Sequence, residues 1–225
     1  MSHGHDDFAS EPVRGLPARL PAGETMLWQG EPRAWELAKE VFHIRAVAAY
    51  FAAILLWRFM AVLGAGSTLE VALIATASLL PVMLGALGLL AVLAVIIART
   101  TVYTITDRRI VMRFGVAITK AVNVPYSQIV SASVHGTGGS AGDIAVALKD
   151  GTRVGYVHFW PHVRPFRFRS PEPTLRGLAD VGTPANILAE ALAAATGVPA
   201  SSWVSPAAPV AKDRAPAPTH VPAAA

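Results

Sequence analysis

The chain changes its hydrophobic rhythm twice. Residues 46–63 are apolar except for Arg58, and residues 71–98 contain no charge at all. Eighteen residues at a helical rise of about 1.5 Å span roughly 27 Å, close to the hydrocarbon thickness of a bilayer. The second run would reach about 42 Å, too long for one straight span and too short for two. Tilt, a kink at Pro81 or an interfacial first turn absorbs the excess. The pattern therefore predicts a two-helix transmembrane hairpin over residues 41–98.

After Arg99 the period falls to about two. Residues 101–106 are rich in β-branched side chains, Asp107-Arg108 suits a turn, and 109–114 reads as the returning strand, ended by Gly115. Further strands are expected at 116–124, 128–135 and 143–149, with Asp150-Gly151 as a hairpin turn and 152–159 pairing back. Residues 160–182 hold four prolines and carry no regular pattern. Thr183-Pro184 supplies an N-cap and a first-turn proline, Ile187, Leu188, Ala191, Leu192 and Ala195 share one helical face, and Gly197 suits the C-terminal cap. The fold class expected is membrane α + β: the hairpin, then over 99–200 a small antiparallel β-barrel or bent sheet plugged by a C-terminal helix. Residues 1–40 form a polar, proline-interrupted N-terminal segment, more ordered from Leu20 and helical in composition from Trp35. An Ala/Pro-rich tail, 201–225, is expected to be disordered.

Composition agrees with this division. Of 225 residues, 53% are hydrophobic and 15% charged, well below the charge content of an ordinary soluble domain. With no cysteine, disulfide frameworks, thiolate metal sites and cysteine nucleophiles are excluded. The first thirty residues lack an apolar run and carry Asp6, Asp7, Glu11 and Glu24, unlike a secretory signal. Net charge is +4, and its distribution sets an orientation. Arg33, Lys39 and Arg45 precede the first span, Arg99, Arg108, Arg109 and Arg113 follow the second, and the linker 64–70 has neither Lys nor Arg. Positive residues favour the cytoplasmic side, so both termini are expected there.

Candidate binding residues are few. Arg58 inside a span either snorkels towards the outer leaflet and Glu70, or meets a partner helix or a cofactor carbonyl. Arg108, Arg109 and Arg113 either hold anionic headgroups or form an ordinary solvated hairpin. The stretch 160–169, with Trp160, His162, Arg164, Phe166 and Arg167, combines aromatics and arginines on a proline-restrained path. Those types are enriched at binding hot spots, so it reads as a docking strip for a protein or the membrane, or as a loop wrapped on the barrel. Single-stranded nucleic acid could use such a strip, but a membrane anchor argues against it. Small residues around Gly85 and Gly88 suit packing within the hairpin or self-association. Catalysis has little support. His158 and His162 lack a third metal ligand, and the glycine-rich 136–142 lacks the lysine and helix of a phosphate loop. A membrane-bound hydrolase or metal enzyme would have to rest on those two histidines.

Residues 102–115, with Tyr103, Thr106, Asp107 and Arg109, resemble the opening hairpin of bacterial PH-like domains, which often follow membrane spans. That resemblance implies a PH-like barrel for about 99–197. More of the chain is similar to the PuhB family of photosynthetic complex assembly proteins: Leu20-Pro21-Ala22-Gly23-Glu24 with Trp28-Gln29-Gly30, Phe42-His43-Ile44-Arg45, the hairpin just named, Trp160-Pro161-His162-Val163-Arg164-Pro165, and Pro171-Glu172-Pro173-Thr174-Leu175-Arg176. The tail after Trp203 lies outside it. The resemblance implies a non-enzymatic assembly factor for the photosynthetic reaction centre in the bacterial inner, intracytoplasmic membrane. Its expected partners are reaction-centre subunits and lipid, with no cofactor. The alternative is a general PH-like membrane protein that binds lipid or envelope-stress partners.

Overall fold

The computed structural model describes residues 14–16, 18–116, 118–138, 140–149, 156–165, 168 and 170–206. Its elements in chain order are strand β1 (Met26–Gly30), helices α1 (Ala34–Glu40), α2 (Ile44–Gly64), α3 (Leu69–Ala77) and α4 (Leu80–Arg99), then strands β2 (Val102–Thr106), β3 (Arg109–Phe114), β4 (Lys120–Pro125), β5 (Ile129–Gly138) and β6 (Ala141–Leu148). A helical turn α5 (Tyr156–Phe159), strand β7 (Thr174–Leu178), helix α6 (Gly182–Thr196) and strand β8 (Val204–Pro206) follow.

Two apolar helical stretches, Ile44–Gly64 and Leu69–Arg99, are long enough to cross a membrane. Each starts about two residues before the apolar run that predicts it. The second is broken at Ser78 and Leu79, just ahead of Pro81. A proline there cannot donate a backbone N–H, so the ladder is interrupted and the excess length becomes a kink. The Leu79 N–H turns to the Thr76 carbonyl (3.1 Å). The Ala75 carbonyl instead accepts from the Ser78 hydroxyl (2.8 Å) and the Arg58 Nε (2.9 Å).

The β-rich part is antiparallel with one exception, and it is not a closed barrel. One sheet has the order β1-β2-β3-β4 and the other β7-β6-β5-β8. Pro125 and a 3-10 turn at Tyr126–Gln128 carry the chain from the first sheet to the second, and no ladder bridges that corner. The hairpin around Asp107 and Arg108 forms as expected, with Ile105 paired to Ile110. Gly115 sits at φ +137°, and a Cβ there would lie 2.1 Å from the Ile118 carbonyl oxygen, so the following turn requires glycine.

Several expectations are corrected. Within the N-terminal segment, β1 pairs with β2 and completes the first sheet. Of the segment 152–159, expected to return as a strand, the described part Tyr156–Phe159 is helical and residues 152–155 lie outside the described residues. Asp150-Gly151 lies outside the described residues. Besides β5, β6 pairs with β7, within the segment expected to be irregular. Strand 116–124 begins only at Lys120. Order also extends past residue 200, since β8 pairs in parallel with β5 and covers its edge. Helix α6 begins two residues before Pro184, with the Asp180 carboxylate accepting from the Gly182 N–H (3.0 Å) and the Thr183 hydroxyl (2.5 Å). Gly197 closes that helix at φ +75°, the left-handed cap expected of it. The apolar face of α6, including Ala185, Leu188, Ala191 and Leu192, fills the space between the sheets against Ile105, Ile144 and Leu175.

Candidate functional site

The most organised chemistry lies where the helical hairpin meets the PH-like part. Helix α1 exposes Trp35 on one side and buries Leu37 and Ala38 on the other, against Ala94, Ile97 and Ala98 near the end of α4. Through Leu37, α1 also meets β7. Gly177 permits this approach: at φ +67°, an added Cβ would come within 3.3 Å of Pro32 and 3.4 Å of Leu37. The Gly177 carbonyl accepts from the Arg33 N–H at 2.8 Å, and its own N–H donates to Asp143 Oδ1 at 2.7 Å.

Around this joint runs a buried hydrogen-bonded chain. The Thr101 hydroxyl donates to the Ile97 carbonyl at 2.7 Å, so its oxygen is left to accept from His162 Nε2 at 3.2 Å. His162 Nδ1 then accepts from the Tyr103 hydroxyl at 2.7 Å, and that oxygen accepts the Arg176 backbone N–H at 3.1 Å. The partners thus select the neutral tautomer with hydrogen on Nε2. Burial, with the Arg176 charge adding to it, pushes the His162 pKa down to about 3. Burial likewise raises the Tyr103 hydroxyl well above its ordinary value. Arg176 completes the joint. Its Nε pairs with Asp143 Oδ2 at 3.1 Å, and a terminal nitrogen reaches the Glu40 carbonyl at 3.3 Å at the end of α1. Strands β2, β6 and β7, helices α1 and α4, and the segment after α5 therefore share one polar network. Sealed from solvent, these groups hold elements in place; a buried ion pair with its lone pairs satisfied is costly to break from one side.

A second lock joins the N-terminal segment to the β2–β3 hairpin. Glu24 receives Arg109 through two bonds (2.8 and 2.9 Å) and the Thr106 hydroxyl (2.8 Å). Arg108 donates to the Gly23 carbonyl at 3.0 Å. The Tyr126 hydroxyl bonds the Thr106 carbonyl.

The residues singled out in the sequence are thus dispersed. Arg58 is directed to the helix break, not to Glu70. Arg108 and Arg109 are engaged with the N-terminal segment, and Arg113 is buried. His162 is fully buried, so it works inside the fold and not on a docking face. Arg164 is half-buried and pairs with Glu172 at 3.0 Å. Among the described residues, Trp160 alone of those named in the strip stands exposed, its ring 6.3 Å edge-to-face from Phe42. Phe166 and Arg167 lie outside the described residues. Among the described residues no three His, Asp or Glu groups converge as metal ligands. The sequence reading missed Thr101 and the pairing of Tyr103, Asp143 and Arg176. Their separations of 33 to 73 residues leave no local spacing to find. Glu24 lay in a quoted segment, but nothing there pointed to Arg109.

Comparison with known proteins supports this architecture. Residues 41–146 match the bacterial PH domain family. The chain is 37% identical over 188 residues to an uncharacterized 23.7 kDa protein in the puhA 5′ region of Rhodobacter capsulatus, covering 82% of this chain and 87% of that one. No solved structure matches.

Proposed function

The chain belongs to the family of the puhA 5′-region protein of Rhodobacter capsulatus, and on that footing we propose that it is a non-enzymatic, membrane-anchored assembly factor for the photosynthetic reaction centre. The observation that carries the membrane part is the surface of α2. None of its residues is buried, and Leu56, Trp57 and Met60 are among its exposed side chains. A soluble protein rarely leaves so continuous an apolar surface in water, whereas lipid solvates it without penalty. The photosynthetic part rests on the position of the relative beside puhA, together with the PuhB-like segments of the sequence.

In this reading the hairpin holds nascent reaction-centre subunits laterally, and the PH-like part meets their cytoplasmic faces. The joint through His162, Arg176 and Asp143 supports that division of labour, because it makes the domain move with the hairpin instead of swinging on a tether. The test is a deletion strain induced for photosynthesis. Reaction-centre absorbance should fall, with restoration by the full chain. Unaltered absorbance and unaltered assembly kinetics would remove the proposal.

A further inference from the structure

Trp35 and Trp160 belong to different parts of the chain, yet both are more than half exposed beside the cytoplasmic end of the hairpin. Trp35 and Lys39, one turn apart on α1, lie away from the face that buries Leu37 and Ala38, and Phe42, just past the helix end, is partly buried against that cluster. The edge contact between Phe42 and Trp160 joins this end of α1 to the PH-like part. Lys39 lies 5.9 Å from the centre of the Trp35 ring. Arg33, Arg45 and Arg99 are exposed around the same joint.

Depth follows from length. Helix α4, Leu80–Arg99, has 20 residues, hence about 30 Å of helix, which matches roughly 30 Å of hydrocarbon. Its charged end at Arg99 then lies at the headgroup layer, and α1 lies against the last turns of α4. Aromatic rings with a polar edge and basic side chains are the residues that this layer favours.

We propose that Trp35, Phe42 and Trp160 form an aromatic collar that seats in the headgroup layer of an anionic bilayer. The collar fixes how far the PH-like domain stands from the membrane. It rests on the membrane-spanning reading and adds a definite contact surface to it. Lipid is the occupant favoured here because the collar continues the lipid-facing surface of the hairpin and is rimmed by exposed cations.

The test uses the full chain in vesicles of phosphatidylcholine and phosphatidylglycerol, some brominated near the headgroup end of the acyl chain and others near its terminus. Fluorescence of a variant retaining only Trp160 should be quenched more by the shallow bromines than by the deep ones. Trp57 alone, within α2, reports whether the span is in lipid. Should removal of the other tryptophans disturb folding, subtracting the emission of Trp160→Phe from that of the intact protein isolates the same signal. Quenching of Trp57 with none of Trp160 would overturn the collar and leave the membrane reading standing. Quenching of neither would remove both.

Discussion

His162 is held neutral by its surroundings, since Thr101 and Tyr103 satisfy one donor and one acceptor and leave no place for a second proton. Its folded pKa of about 3 lies below the 6.5 of an unperturbed histidine. The unfolded chain therefore binds the extra proton first as pH falls. The stability that His162 contributes is complete above 6.5 and is lost progressively as pH falls towards 3. One proton corresponds to at most about 1.4 kcal/mol per pH unit. His162→Gln keeps an amide donor and a carbonyl acceptor but cannot titrate. In detergent, the melting temperature of the variant should fall less steeply than that of the native chain between those limits. Parallel profiles would show that His162 does not couple protonation to unfolding. Groups other than His162 are common to both proteins and cancel in the comparison.

Helix α1 is the element on which the joint depends. It is only seven residues long, too short to persist on propensity alone, and its order comes from burial between α4 and β7. Gly177 sets that spacing. Gly177→Ala combines a left-handed backbone cost of about 1–2 kcal/mol with contacts to Pro32 and Leu37 that have little room to yield. The expected outcome is faster amide exchange in α1 with exchange in β5 and β6 unchanged. Unaltered protection of α1 would mean that the approach is not governed by this glycine. The break between α3 and α4 has a related logic. Its freed Ala75 carbonyl meets Arg58, so a charge that would be isolated in an apolar helix acquires an acceptor from its own hairpin.

At the scale of the molecule, orientation is the quantity to measure. The absence of cysteine makes that direct. Ser67→Cys in the linker should react with an impermeant maleimide added to spheroplasts, whereas Lys149→Cys at the end of β6 should react only after lysis. The reverse pattern would invert the proposed topology and with it the assignment of the PH-like part to the cytoplasm. The two locks, one through Arg176 and one through Glu24, bind the residues before the hairpin to the strands after it. A chain cut within the hairpin linker would still have its N-terminal segment held to the domain.

Periodicity alone was sufficient for the apolar helices, the β2–β3 hairpin and the amphipathic α6, because each is specified by residues a few positions apart. It also marked the excess length at Pro81. It missed β1, β7 and β8, because each gains its order from a partner strand distant in sequence and not from a neighbouring turn. Arginines 108 and 109 stood out as cations, yet only the folded chain brings Gly23 and Glu24 to them. Likewise the fate of His162 was decided by β2 and β7 closing over it. Local composition determines which segments must leave water; the contacts they make on leaving are chosen by the packing of the whole.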